Sequence, residues 1–443
     1  MAPTRRPNDG LLARVNFPLY AVEMLTSRHV LVAGGGGSSK TGVANGFEIY
    51  EIYHNGSRFV AEEVIRHETG PSVVMNFAVK NDGRRSFIVA GQEAHCQLYY
   101  VNPRVVSMTD GEEAGEKKTT GRTVRLSENG IRRRHNSVNN PSGVEEVKAN
   151  GVAGDHNDVN ANLKRIEFDI KPGDSIQTDF LTNEPIQRVV RISPDGKLMA
   201  TGGTDGYIRI WSFPKMGKSS EIEAHSKELD DIDFSPDSKH LVSIAKDGQG
   251  IVWDVKSQQK LFQLSWNPPD GAKYLFKRCR YAVSEGKQNK SRLFTISNPL
   301  GKVGKQRGYL QQWNCEDGRL INCVGIDESL SSMTVRDDGR FIAVGTMFTG
   351  SVSIYIAFSL QRVLHIPNAH SMFVTGLVFL PITNQEGPPI SSSSEAAVLS
   401  ISVDNRVCIH SLQYRHTLPA WVAIVLIIVI LFLAFMLCSY LGI

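Results

Sequence analysis

Short runs of alternating apolar and polar residues recur along most of the chain at intervals of about 40 residues. Each recurrence has a β-branched apolar run, a turn, and a second run that ends in an aromatic or bulky residue. Seven stretches have this form: HVLVAGGGG…GFEIYEI, SFIVAGQEAHCQLYYV, LMATGGTDGYIRIWSF, HLVSIAKDGQGIVWDV, RLFTISN…YLQQWNC, FIAVGTMFTGSVSIYIA and AVLSISVDNRVCIHSL. Several follow one more alternating run, such as VVRISPDGK or IDFSPDSK. Units of three strands and a looser fourth are typical of propeller blades, so the sequence predicts an all-β, seven-bladed β-propeller.

Polar residues recur at fixed positions within these units and predict WD-type blades. The positions of the His–Ser–Asp–Trp tetrad of WD repeats are held by His225, Ser243, Asp247 and Trp253 in the fourth unit, by Thr201, Asp205 and Trp211 in the third, and by His370, Ser400, Asp404 and His410 in the seventh. A Ser–His–Asp set also suggests a hydrolase. Recurrence at one spacing in several units is expected of a structural tetrad and not of a catalytic triad.

The two ends of the array predict how the propeller closes. The seventh unit ends its third strand at Leu412, and an apolar segment starts eight residues later, which leaves no room for an outer strand. Residues 11–17 (LLARVNF) are predicted to supply that strand and so to remove an exposed sheet edge. The predicted propeller domain therefore spans residues 1–414.

One insertion interrupts the second unit. Residues 103–162 are rich in Gly, Ser, Asn, Glu and Arg and have few large apolar residues, so we predict a disordered loop. Its RRRH sequence at 132–135, followed by Ser137, is either a solvated charge run or a phosphorylation or localisation signal.

The C-terminal region predicts a transmembrane helix over residues 420–441. Residues 420–438 contain no charge and would cover roughly 30 Å as a helix, the thickness of the bilayer's hydrocarbon. Trp421 and Tyr440 lie near its ends, where interfacial aromatics are common. Arg415 precedes the span and no Lys or Arg follows it, which predicts a cytosolic propeller and a lumenal end at 442–443. A buried core helix is the alternative.

Composition excludes several other classes of protein. With 49 Lys+Arg against 45 Asp+Glu, bulk charge indicates no nucleic-acid partner. The six cysteines have no C-x-x-C or Cys/His spacing, which argues against a zinc site and against a secreted disulfide framework. The N-terminus MAPTRRPNDG lacks the apolar segment of a secretory signal peptide.

The stretch GGGGSSKTGVANG in the first unit resembles a phosphate-binding loop but departs from its pattern. Lys40 and Thr41 fit G-x-x-x-x-G-K-[ST], whereas Ser39 stands where the second glycine belongs. The residues that follow, FEIYEI, alternate like a strand instead of opening a helix. We therefore predict a long turn between the second and third strands of blade one and no nucleotide bound by the protein itself. Its exposed carbonyl oxygens suit a hard cation, and a mobile hairpin without function is the alternative.

The AGGGGSSKTGVANG loop, the propeller and the C-terminal anchor together resemble the prolactin regulatory element-binding protein family, the endoplasmic-reticulum exchange factors that load GTP on the Sar-type GTPase of the COPII coat. The resemblance covers essentially the whole chain. It implies exchange without covalent chemistry, a Sar-type small GTPase as partner, and a place in the endoplasmic reticulum membrane.

In that family the loop binds potassium and inserts into the GTPase to expel GDP. Carried over to this chain, the resemblance implies a potassium loop from Gly37 to Asn45, with Val43 where family members have Ile. The residues implied to contact the GTPase are Lys40, Thr41, Gly42, Val43, Ala44, Asn45 and Pro71. The backbone carbonyls implied to hold potassium are those of Lys40, Thr41, Gly42, Val43 and Asn45.

Two functions of other classes remain as alternatives. One is a transcription regulator, against which stand the balanced charge, the missing DNA-binding motif and the predicted anchor. The other is a membrane-tethered scaffold without exchange activity, since many propellers are interaction platforms.

Overall fold

Seven antiparallel sheets of four strands each make up the body of the protein. The computed structural model describes residues 10–38, 42–107, 164–268, 271–284, 287–301, 307–382, 390, 394–414 and 420–441. This arrangement confirms the predicted all-β seven-bladed propeller.

Each sheet is one blade, with its strands in order from the inner to the outer edge. Blade one has β2 (Leu19–Met24), β3 (His29–Gly34), β4 (Gly46–His54) and β5 (Phe59–Glu68), and blade two has β6 (Val74–Asn81), β7 (Ser86–Gln92), β8 (His95–Ser107) and β9 (Lys164–Gln177). Blade three has β10 (Gln187–Ile192), β11 (Leu198–Gly203), β12 (Tyr207–Ser212) and β13 (Gly217–Glu223), and blade four has β14 (Leu229–Phe234), β15 (His240–Ala245), β16 (Gly250–Asp254) and β17 (Lys260–Gln263). Blade five has β18 (Tyr274–Ser284), β19 (Lys287–Pro299), β20 (Gly308–Trp313) and β21 (Leu320–Ile326), and blade six has β22 (Leu330–Val335), β23 (Phe341–Thr346), β24 (Val352–Ile356) and β25 (Arg362–Ile366). Blade seven has β26 (Val374–Phe379), β27 (Ser394–Ser402), β28 (Arg406–Gln413) and, as its outer strand, β1 (Leu11–Arg14).

The core lies between neighbouring blades. A second strand such as β3 packs against a blade on each side, which is why its sequence contains the continuous apolar run VLVAG and all six of its residues are buried. Between blades one and two, Leu31 and Phe47 pack with Phe77, Ile88 and Tyr99 in one cluster. The inner strands β2 and β26 also contact each other, so the ring of blades is closed.

The N-terminal strand closes the ring as predicted. Strand β1 pairs antiparallel with β28, with Leu11 opposite Cys408 and Arg14 opposite Arg406. The strand is shorter than the predicted residues 11–17, because Val15 and Phe17 turn inward and are buried in the core between blades seven and one. These two side chains anchor the closing strand to the core.

The predicted insertion begins later than residue 103. Strand β8 continues through Pro103 to Ser107 and pairs with β9 from Lys164 to Phe168, so the prediction of disorder for 103–107 is wrong. The cause is the alternation of Ile166 and Phe168 on β9, which gives the hairpin an apolar side; Phe168 is buried. The remainder of the predicted loop, 108–162, lies outside the described residues.

The tetrads of blades four and seven are formed. In blade four, His225 contacts the Ser243 hydroxyl at 2.8 Å and the Asp247 carboxylate at 3.0 Å, and Trp253 donates to Ser243 at 2.9 Å. Burial lowers the pKa of His225, although Asp247 opposes this shift. In blade seven the matching distances are 2.7 Å from His370 to Ser400 and 2.8 Å from Ser400 to His410. Both serines are fully buried, so neither can reach a substrate.

Blade three departs from the predicted tetrad. Trp211 donates to Thr201 at 2.9 Å as expected. Asp205 instead forms an ion pair with Arg209 at 2.7 Å, because no histidine precedes this blade at the tetrad position. Blade five carries a version that was not predicted, in which Trp313 donates to Thr295 at 2.8 Å.

The helix α1 (Ala420–Leu441) follows the propeller, and side chains such as Ile424 and Phe435 are exposed on it. Within the described parts of the chain, no helix combines the length and apolar character that crossing a bilayer demands. The predicted domain boundary at residue 414 stays a prediction.

Candidate functional site

The glycine-rich loop connects β3 to β4, the second and third strands of blade one, as predicted. The structure describes it from Gly35 to Ser38 and from Gly42 to Asn45. Lys40 and Thr41, two of the predicted contact residues, lie outside the described residues.

Glycines at the base of the loop are required by close backbone contacts. A β-carbon on Gly34 would lie 1.8 Å from the Pro18 carbonyl oxygen, and one on Gly46 would lie 2.3 Å from the His67 carbonyl oxygen. Nearer the tip, Gly37 and Gly42 have φ angles of 82° and 77° and open space around them. The base glycines therefore serve packing, whereas the tip glycines allow left-handed bends that other residues rarely adopt.

Asn45 ties the two arms of the loop together. Its side chain is only 5% exposed. The Oδ1 atom accepts a hydrogen bond from the Gly37 amide at 2.9 Å, and Nδ2 donates to the Gly37 carbonyl at 3.2 Å. One buried amide thus fixes where the outgoing arm lies relative to the returning arm.

The same side chain joins the loop to the connection between blades one and two. Nδ2 also donates to the carbonyl oxygens of Gly70 at 3.1 Å and Pro71 at 2.9 Å, and the Asn45 carbonyl accepts from the Thr69 amide at 3.0 Å. Pro71 itself is exposed, next to Gly70 with a φ of 81°. The glycine loop and Pro71 therefore form one surface unit on one face of the propeller.

Val43 is the apolar residue of the loop, and it is partly buried. It packs against the core cluster between blades seven and one, which contains Phe17 and Leu19. Gly42 beside it is exposed and Ala44 is half-buried. The loop therefore offers an apolar side chain at the edge of the core instead of projecting it fully into solvent.

The described part of the loop has backbone carbonyl oxygens that are suitable ligands for potassium. Among hydrogen bonds between described residues, none ends on the carbonyl oxygens of Gly42 and Val43. The Asn45 carbonyl accepts from Thr69 and keeps one lone pair. Neutral backbone oxygens on a glycine-permitted bend are hard ligands without charge, a set that fits a weakly held monovalent cation.

Below the loop, the start of β4 and the end of β5 carry buried polar groups. Tyr50 donates to the carboxylate of Glu48, and Arg66 lies 3.5 Å from it. Burial raises the pKa of Glu48 and lowers that of His67, which stacks on Phe47 with ring centroids 4.9 Å apart. His67 is thus neutral at neutral pH, and it packs as an aromatic ring beneath the loop.

The loop lies where the sequence predicts it, between the second and third strands of blade one. The resemblance implies partner and potassium contacts for Asn45, whereas the structure shows that its side chain is a buried clamp. The only sequence signal for the clamp is an asparagine immediately before a glycine that opens a strand, which is common in turns of many kinds.

A comparison with protein-family models matches the WD domain, G-beta repeat, at residues 180–212 and 217–254. These ranges cover the strands of blade three and the first three strands of blade four. They agree with the tetrad positions found there.

Curated relatives extend the similarity over nearly the whole chain. The guanine nucleotide-exchange factor SEC12 of Mus musculus is 32% identical over 424 residues, which are 94% of this chain and 93% of that protein. The Rattus norvegicus protein of the same name is 33% identical over the same shares. SEC12-like protein 2 of Arabidopsis thaliana is 25% identical over 236 residues, 53% of each chain. The chain belongs to the SEC12 family of guanine nucleotide-exchange factors.

Proposed function

We propose that this protein accelerates GDP release from a Sar-type small GTPase at the endoplasmic reticulum membrane and so starts assembly of the COPII coat. Family membership supports the exchange activity. The Sar-type partner, the endoplasmic reticulum and the coat come from the resemblance of the glycine loop, and the uncharged run at 420–438 supports membrane attachment.

The observation that carries the proposal is the clamp made by Asn45. It joins the glycine loop to Gly70 and Pro71 through one buried side chain. Two surface connections that are separate in sequence thereby become one preorganised element. A preorganised element loses little conformational entropy on binding, so more of the binding free energy is available to change the conformation of the partner.

The exchange step requires no covalent chemistry. A small GTPase holds GDP through Mg²⁺ and backbone contacts to the phosphates. A protein that binds the nucleotide-free form best lowers the barrier to release, and each tenfold gain takes about 1.4 kcal/mol of differential binding. We assign the pressing contact to the loop from Gly42 to Ala44, with Val43 as its apolar group and Pro71 beside it.

Potassium would be held by the backbone carbonyls of Gly42 and Val43, together with Asn45, Lys40 and Thr41. A monovalent cation among neutral carbonyl oxygens reduces their mutual repulsion and narrows the conformations of the loop. The side chain of Asn45 holds the base of the glycine loop, and the tip of the loop contacts the partner.

The test is GDP release from a purified Sar-type GTPase, followed by fluorescence, with wild type and Val43→Ala in potassium and in lithium. We expect Val43→Ala to slow release several-fold with the fold intact, and lithium to slow the wild type. The protein itself should bind no GTP. Val255→Ala is the matched control, because Val255 is a partly buried valine in a turn on the opposite face. Equal rates under all four conditions would favour the scaffold alternative.

A further inference from the structure

On the propeller face that carries the glycine loop, four large apolar side chains are exposed where blades two and three meet. Phe180 is 53% exposed, Met75 45%, Leu181 41% and Ile186 39%. They lie on the inner strand of blade two and on the connection from blade two to blade three. We refer to these four residues as the apolar patch.

The connection that carries most of the apolar patch is fixed in place. Asp179 is fully buried, and its carboxylate accepts from the Leu181 amide at 2.9 Å and the Asp205 amide at 3.2 Å. Arg209 donates to the Thr178 carbonyl at 2.8 Å. The backbone around the exposed side chains is therefore held on both sides.

The ring of Phe180 is also held, although half of it faces solvent. The Arg209 guanidinium lies over it, 4.8 Å from the ring centroid, and the Phe180 amide donates to Asp205 at 3.3 Å. A side chain that is fixed on one side and apolar on the other loses little entropy when a partner covers it. Such groups are typical of protein-binding hot spots.

The apolar patch is continuous with the candidate exchange element. Pro71 is bound to Asn45 and precedes Met75 by only four residues. The next residue, Asn76, exchanges two hydrogen bonds of 3.2 Å with Gln187, which follows Ile186. A partner seated on the glycine loop and Pro71 therefore meets the apolar patch next.

Exposed carboxylates border this surface. Glu68 lies beside the Pro71 turn, Glu93 is in the turn of blade two, and Glu184 is in the connection itself. An apolar centre with an acidic rim fits a surface that has apolar side chains surrounded by Lys or Arg.

We propose that the apolar patch is the docking surface for the body of the small GTPase, distinct in role from the glycine loop that expels the nucleotide. This inference rests on the proposed function. The apolar patch supplies affinity in every nucleotide state, whereas the loop favours the nucleotide-free state. Interactions that are equal in both states change the half-saturating concentration and leave the maximal rate unaltered.

The experiment measures GDP release from the Sar-type GTPase against the concentration of the full chain in detergent micelles. The variant is Phe180→Ser combined with Leu181→Ser. The matched control is Phe358→Ser: Phe358 is 69% exposed, lies under the Arg292 guanidinium at 5.4 Å, and belongs to a turn on the opposite face. Met75→Ser is a second patch variant that leaves the connection untouched, and melting temperatures check the fold of each protein.

The double variant should raise the half-saturating concentration roughly tenfold with an unchanged maximal rate, and Met75→Ser should raise it less. Higher salt should raise the half-saturating concentration of the wild type. The rise should be smaller for a variant in which Glu68, Glu93 and Glu184 are all replaced by Gln. An unchanged half-saturating concentration in a folded patch variant overturns the proposal, and so does an equal rise in Phe358→Ser. If the wild type itself does not accelerate release, it is the proposed function that fails, which separates the two results.

Discussion

At the scale of single residues, Asn45 is the side chain on which the geometry of the glycine loop depends most directly. Asn45→Ala removes four hydrogen bonds, to Gly37, Gly70 and Pro71, and leaves their backbone groups without this partner. We expect exchange to fall at least tenfold while the propeller stays folded, with a loss of about 2 kcal/mol in the free energy of unfolding. GDP-release rates and urea unfolding measure the two effects.

Asn298→Ala is the matched control for that experiment. Asn298 is also a buried amide at the end of a second strand, where it bonds the backbone of Leu330 in the next blade at 2.7 and 2.8 Å. It should lower stability by a similar amount and leave exchange unchanged. Equal losses of exchange in both variants would mean that general destabilisation, and not the loop, limits the rate.

A second prediction at this scale concerns His29 and pH. Burial lowers the pKa of His29 to about 4, with Arg28 adding to the shift. In the unfolded chain the pKa is about 6.5, so between pH 6.5 and 4 the unfolded state binds a proton that the folded state does not. The stabilisation is present above pH 6.5 and is lost as pH falls, by about 2 kcal/mol between pH 7 and pH 5.

Urea unfolding at several pH values checks this prediction with His29→Gln as the comparison. The variant should lose less stability than the wild type over the same interval. His67 and His225, whose pKa values burial also lowers, add to the slope in both proteins. Parallel curves for the two proteins would contradict the assignment.

At the scale of elements, the closing strand β1 is the part most open to a direct test. Deleting residues 11–17 removes the ladder to β28 and also the buried side chains of Val15 and Phe17. We expect a loss of more than about 5 kcal/mol and a tendency to aggregate through the exposed edge. Leu11→Ala, at a position 43% exposed, should cost less than about 1 kcal/mol. An unchanged melting temperature in the deletion would reject the closure.

The elements were predictable from sequence because alternation along a strand reports burial directly. Blade number, the closing strand and the position of the glycine loop follow from local patterns and strand counting. The extension of β8 to Ser107 does not follow from a local pattern, because this part of β8 pairs with β9, which lies beyond residue 163.

Side-chain contacts between elements were less predictable. The clamp made by Asn45 depends on carbonyl groups 25 and 26 residues away, and no periodicity reports such a contact. The ion pair of Asp205 with Arg209, only four residues apart, was not predicted either, because the repeat pattern assigned Asp205 to a tetrad position. Sequence patterns locate backbone elements, whereas the bonds that position a site form between distant segments.

At the scale of the whole molecule, charged groups along the central channel link several blades, including blades one and three, which are not neighbours. Arg191 of blade three lies 3.4 Å from Glu23 of blade one and 3.5 Å from Asp231 of blade four, and Arg280 of blade five lies 2.5 Å from Asp231. Burial works to raise the pKa of Asp231, but the arginines outweigh it and the net shift is downward. The ring of blades is thus held from inside as well as along its seams.

The domain division makes a prediction at this scale. A chain of residues 1–414 contains every strand of the seven blades and lacks α1. It should remain monodisperse without detergent, melt within a few degrees of the full chain, and leave the membrane fraction in cells. Aggregation of this fragment would show that the helix is part of the fold and not an appendage.

Strand β28 lies between β27 and β1, hydrogen-bonded along both edges. It is also the strand from which the chain continues towards α1. A pull applied through the helix is therefore delivered to an interior strand of its sheet, and two ladders must shear together before that strand leaves. If β28 were the outermost strand of its blade, the same pull would break its hydrogen bonds one at a time. By pairing its first strand with its last, the protein gives the strand that leads to α1 a hydrogen-bonded ladder along each edge.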